Sequence, residues 1–120
     1  MSESFKLYVV KKDNSRVPYE REKIIAGLQK ACYKRPVSVE QIRQIADRVE
    51  EDIFRNFDKE VTSAFIGESA IKYLRSVDKV AYIRFASVYR DFKDAGQLIE
   101  EVSQVIAEPD YEGQPKLFER

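Results

Sequence analysis

Apolar residues recur at helical spacing in five successive segments, and a capping residue opens four of them. The first stripe is Ile24, Ile25, Leu28, Ala31 and Cys32, in a helix from about Glu20 to Tyr33. Lys34-Arg35-Pro36 breaks it, and Ser38 with Gln41 forms a capping box that opens the second. That helix carries Ile42, Ile45, Ala46, Val49 and Ile53 and runs to about Phe57. Thr62 or Ser63 caps a third, with Phe65, Ile66, Ala70, Tyr73 and Leu74 as its stripe. Asp78 caps a fourth, from about Lys79 to Phe92. Asp94 with Gln97 opens a fifth, bearing Leu98, Ile99, Val102, Val105 and Ile106. Five amphipathic helices of this length can bury their stripes only against one another.

The chain ahead of the first helix has a different character. Phe5 to Val10 is rich in β-formers, Asp13-Asn14 is a turn signal, and Arg16 to Tyr19 returns as a short strand. Pro18 places that second strand at an edge. Asp58 to Val61 reads as a further short extended piece. The expected fold is therefore α+β and mostly helical: four to five helices capped by a small β-sheet or hairpin. The expected organisation is one domain over residues 1–107, followed by a flexible tail over 108–120 that lacks periodicity.

Composition excludes several kinds of chemistry. The chain has no histidine and one cysteine, so His-based triads, Cys-His pairs and an internal disulfide are all ruled out. Cys32 lies on an apolar stripe and reads as a core residue. Neither a zinc ligand set nor a Walker-type glycine loop is present, and Glu50, Glu51 and Asp52 read as a solvated acidic face. Lys+Arg and Asp+Glu are both 21, and this zero net charge argues against a dedicated nucleic-acid domain while favouring self-association. The absence of a long apolar run and of a signal-peptide pattern gives the expectation of a cytoplasmic protein without membrane partners.

Two places remain where a ligand could bind. Lys11, Lys12 and Arg16 on the hairpin and Lys23 on the first helix can converge on a polyphosphate, helped by free N–H groups in that helix's first turn. The other reading is an edge hairpin defended by lysines against aggregation. Tyr82, Tyr89 and Lys93 share one stripe of the fourth helix, which suits a base and a phosphate. The other reading is an aromatic core stripe with its hydroxyls at the rim.

The segment Val9-Val10-Lys11-Lys12-Asp13-Asn14, followed by Lys23-Ile24, resembles the opening of the ATP-cone family. Lys34-Arg35-Pro36-Val37-Ser38 and the run from Asp78 to Arg90, with Phe92, resemble the cones of NrdR-type repressors of ribonucleotide reductase genes. The similarity spans about Leu7 to Ile106. It implies a helical bundle capped by a small mixed sheet, with ATP or dATP, with or without Mg²⁺, as a regulatory ligand and no enzymatic turnover. On the family pattern Lys11 and Lys23 meet phosphates with Lys12 nearby, and Val9 and Ile24 border the base. Ser63 and Ile66 line the pocket, and Tyr82, Tyr89 and Lys93 close its other side.

Three departures from that pattern bear on function. NrdR-type repressors carry a four-cysteine zinc ribbon, which this chain lacks, so zinc is not expected in it and DNA binding is expected only with a separate ribbon. The hairpin glycine common in cones is Asn14 here. The acidic residue usual before the proline is Val17, with Glu20 as a substitute near the ribose. The resemblance implies a nucleotide sensor that acts through homo-oligomerisation, and the wide apolar stripe of the fifth helix gives a surface for it. The alternatives are a cone used only for assembly and an allosteric cone for ribonucleotide reductase itself.

Overall fold

The computed structural model describes residues 6–90 and 92–108. Strands β1 (Tyr8–Val10) and β2 (Arg16–Pro18) form the expected hairpin. Asn14 takes up the left-handed backbone of its turn at φ 70°, and Asp13 Oδ1 accepts from the Ser15 N–H. Asn tolerates that conformation better than other non-glycine residues, which is why a hairpin closes here without glycine.

The remaining elements are α1 (Arg21–Ala31), α2 (Val39–Asn56), β3 (Glu60–Thr62), α3 (Ser63–Arg75), α4 (Lys79–Tyr89) and α5 (Ala95–Ala107). The extended piece near Val61 is thus a third strand. It pairs parallel with β1, giving the order β2-β1-β3, with Val9 opposite both Val17 and Val61. Pro18 sits on the edge strand, where its missing N–H costs no ladder bond.

Each helix after the first is opened by the residue its sequence suggests. Ser38 Oγ accepts from the Gln41 N–H while Gln41 Oε1 accepts from the Ser38 N–H, completing the capping box. Thr62 rather than Ser63 caps α3, at 3.1 Å from the Phe65 nitrogen. Asp78 and Asp94 cap α4 and α5. Gln97 folds back to the Lys93 N–H, one residue before the N-cap N–H that a standard box uses. The fourth helix stops at Tyr89, short of Phe92. Arg90 is extended there, held by a bidentate pair to Glu68 at 3.0 Å and by the Tyr82 hydroxyl at 3.1 Å.

The chain divides into two compact units, one running to Arg90 and one from Asp91 onward. In the first, α1 to α4 pack in a ring of neighbours around Leu28, Val49, Ile53, Leu74 and Tyr82, all fully buried. Cys32 is buried, as expected, and burial raises its thiol pKa above the ordinary value. The acidic run on α2 differs from expectation. Asp52 is buried and accepts from Ser69 Oγ at 2.8 Å and Tyr73 Oη at 2.9 Å, tying α2 to α3. Glu50 is half-buried and holds Tyr19 and Arg21. Only Glu51 lies on a solvated face. A run of three acids spreads over about 200° of the helix, so its members cannot all share one face.

The second unit contains α5, whose Ile99 and Ile106 are 63% and 71% exposed. The tail beyond Glu108 and the expected strand start at Phe5 lie outside the described residues. None of the described helices is long and apolar enough to cross a membrane.

Candidate functional site

A cleft of about 530 Å³ opens between the hairpin and the helices. Four elements supply its walls: the hairpin, the N-terminal halves of α1 and α3, and the C-terminal half of α4. Its size is within the ordinary range for small-molecule sites, about 300–1,000 Å³.

Nine of the residues singled out from sequence come together here: Val9, Lys11, Lys12, Glu20, Lys23, Ile24, Ser63, Ile66 and Tyr89. They separate by chemistry. Lys11, Lys12 and Lys23 bring ammonium groups to the lining, and Asp13 and Glu20 bring carboxylates. Val9, Ile24 and Ile66 bring apolar side chains to the same lining. Asp13 is committed to the hairpin turn, and its hydrogen bonds from Ser15 hold its carboxyl below the usual range. The Lys23 ammonium lies 3.9 Å from Glu20, and both side chains are more than half exposed. Glu20 is the N-cap of α1 but makes no capping bond with its side chain. The first turn of α1 therefore faces the site without the side-chain acceptor that satisfies α2, α3, α4 and α5.

Of the other two expected residues, Tyr82 lies in the core and Lys93 in the second unit. Tyr82 is fully buried, and its hydroxyl accepts from Arg75 at 3.4 Å and Arg90 at 3.1 Å. It shares a stripe with Tyr89, but seven residues of helix separate the two by about 10 Å along the axis. Stripe membership fixes direction and leaves depth open, and Tyr82 lies two turns below the cleft. Lys93 is exposed and belongs to the second unit. The helix that would have carried it on the Tyr89 stripe has already ended.

The structure adds residues that periodicity did not single out. Val17 and Pro18 enter from the edge strand, and Tyr19 from the turn into α1. Tyr19 Oη donates to Glu50 Oε2 at 2.7 Å, and Arg21 joins the same carboxylate at 2.9 Å, so α2 braces this wall. Burial, reinforced by the Glu50 charge, raises the Tyr19 pKa far above that of a free phenol, so the group stays a donor. Phe85 stacks on Tyr89 with ring centroids 4.4 Å apart and planes 27° apart. Gly27 and Gly67 face this pair. A β-carbon on Gly27 would lie 3.2 Å from Tyr89 Oη, and one on Gly67 would lie 3.7 Å from Tyr89 Cβ. The sequence signal for the floor was the i, i+4 aromatic pair on α4, with glycines inside two otherwise regular helices.

The arrangement suits a ligand with an apolar, planar part and a polyanionic part. The described residues contain no group of three or more His, Cys, Asp or Glu side chains placed to hold a metal ion.

Comparison with known proteins agrees with this geometry. The family model described as "ATP cone domain" matches residues 7–95. The chain is 50% identical over 104 residues to the transcriptional repressor NrdR of Lachnoclostridium phytofermentans, covering 87% of this chain and 68% of that protein. It is equally identical over 104 residues to NrdR of Chloroflexus aggregans, where the match covers 87% of this chain and 60% of the relative. With NrdR of Symbiobacterium thermophilum the identity is 50% over 100 residues, 83% of this chain and 67% of the relative. The chain thus spans between three-fifths and about two-thirds of the length of these relatives. The hairpin, the helices and the cleft between them are accounted for together: the chain belongs to the ATP-cone family.

Proposed function

We propose that this chain is the adenine-nucleotide sensor of an NrdR-type repressor of ribonucleotide reductase genes, with ATP or dATP occupying the cleft. The carrying observation is that one cleft is lined both by three lysines, Lys11, Lys12 and Lys23, and by apolar and aromatic side chains. Phosphates would bind against Lys11 and Lys23 and the open first turn of α1, where backbone N–H groups and clustered ammonium charge favour an anion. The base would lie among Val9, Ile24, Ile66 and Tyr89. Any Mg²⁺ would arrive with the nucleotide.

The relatives are named as repressors and the ATP cone is a regulatory module, so the chain acts by binding rather than by catalysis. Nucleotide occupancy would act by favouring one packing of protomers over another, since a ligand shifts an equilibrium by its differential affinity for the two states. The exposed Ile99 and Ile106 of α5 support such packing. DNA recognition would need a further zinc-ribbon region, and the site of action would then be the cytoplasm.

The test pairs a titration with a phosphate-release assay on the purified chain. Saturable binding of ATP and dATP with no steady phosphate release is the expected outcome. Absence of binding, or sustained release, overturns the reading.

A further inference from the structure

The start of α1 lacks a capping side chain, yet it forms one wall of the cleft. Its anchor is on α2. Tyr19 and Arg21 flank the N-cap residue Glu20, and both reach the Glu50 carboxylate. Tyr19 Oη donates to Oε2 at 2.7 Å, and Arg21 Nη1 donates to Oε1 at 2.9 Å. One carboxylate thus grips the chain on either side of Glu20. The Glu50 side chain is 23% exposed, so water competes weakly for it. Further bonds keep both partners from swinging away. The Tyr19 N–H donates to the Leu7 carbonyl at 2.9 Å. The Arg21 guanidinium also pairs with Asp47 at 2.8 Å and donates to the Arg43 carbonyl at 3.4 Å.

A side-chain cap fixes the start of a helix by occupying its first N–H groups. Here the start is fixed from α2 instead, and the Glu20 side chain leaves those groups alone. Helix pairing does not account for the whole arrangement. The Arg21–Asp47 pair already ties α1 to α2, whereas Tyr19 precedes the helix and its ring lines the cleft. Lys23 follows in the same first turn and also lines the cleft, so the position of its ammonium depends on where that turn is held.

We propose, on the reading of the cleft as a nucleotide site, that Glu50 is a positioning residue for it: through Tyr19 and Arg21 the carboxylate sets the first turn of α1, and with it Lys23, against the nucleotide's phosphates. Glu50 acts by geometry, since a misplaced charged group loses the contact it was aimed at.

A double-mutant cycle tests this, read by calorimetric titration of ATP at a temperature well below the melting point of every variant. Glu50→Ala should weaken ATP binding about fivefold or more. Lys23→Ala removes the group that the carboxylate positions, so adding Glu50→Ala to it should cost less than about twofold. A residue that only stabilises the fold gives losses that add. Tyr19→Phe keeps the ring in the wall and removes one arm of the grip, so it should weaken binding and its loss should overlap with that of Glu50→Ala. Glu50→Gln keeps the shape and one acceptor oxygen and should fall between the wild type and Glu50→Ala. If Glu50→Ala does not fold, Glu50→Gln replaces it in the cycle with the same non-additive outcome. Wild-type affinity in the Glu50 variants, or losses that add to that of Lys23→Ala, overturn the proposal and leave the cleft as a nucleotide site. A wild type that binds no ATP overturns both.

Discussion

At the residue scale the cleft depends on what is missing as much as on what is present. Gly27 has no positive φ, so its glycine identity answers to the 3.2 Å approach of Tyr89 Oη and not to backbone strain. Alanine there gains helix propensity of about 0.5–1 kcal/mol. It also pushes Tyr89 from its place in the lining. Gly27→Ala should therefore leave the melting temperature unchanged or slightly higher while weakening ATP binding several-fold. A thermal melt with a titration checks both, and unaltered affinity would show that Tyr89 does not shape the site. Residues of this kind are hard to read in a sequence. Lys11 and Lys23 announce themselves by charge, whereas Gly27 and Gly67 matter only because Tyr89 comes to lie against them. Tyr82 illustrates the converse, since it shares a helical stripe with Tyr89 but lies buried in the core.

At the scale of elements the Asp52 carboxylate joins α2 to α3 through Ser69 and Tyr73, with Lys72 at 3.3 Å. Burial alone would raise its pKa. The hydrogen bonds from Ser69, Tyr73 and Lys72 outweigh that and leave it below the ordinary carboxylate value. A group with a lowered folded pKa contributes stability that is present above its unfolded value, about 3.9 for Asp. That contribution is lost as the pH falls through the lower folded value. Stability should thus decline as the medium is acidified below about pH 4, and Asp52→Asn should flatten that part of the decline. Asp52→Ala should cost about 2–3 kcal/mol in urea denaturation, since it leaves two hydroxyls without their charged acceptor. A pH profile identical to wild type in Asp52→Asn would refute this account of the acid limb. The helices themselves were legible because periodicity and caps are local signals. The parallel pairing of β3 with β1 was not, because partners such as Val9 and Val61 lie far apart in the chain and no local pattern links them. The end of α4 at Tyr89 depends likewise on Arg90 meeting Glu68 on another helix.

At the scale of the whole molecule, zero net charge gives the chain no overall electrostatic attraction for DNA. The chain alone should bind operator DNA weakly, with affinity that vanishes at moderate salt; tight, sequence-selective binding near physiological salt would contradict this. Its assembly should respond to nucleotide, so light scattering should give different size distributions for apo, ATP and dATP samples. A strictly monomeric species in all three, at about 100 μM, would remove assembly as the output of the cone. All of this rests on the cleft being the nucleotide site. The most direct test is a calorimetric titration of ATP into the wild-type chain and into Lys23→Ala under identical conditions. On the proposed reading Lys23 would contribute one charge-assisted contact to phosphate, worth about 1.5–3 kcal/mol. The wild type should bind saturably, and Lys23→Ala should bind about 10- to 100-fold more weakly. Equal affinity in the two proteins, or no binding by the wild type, would contradict the account.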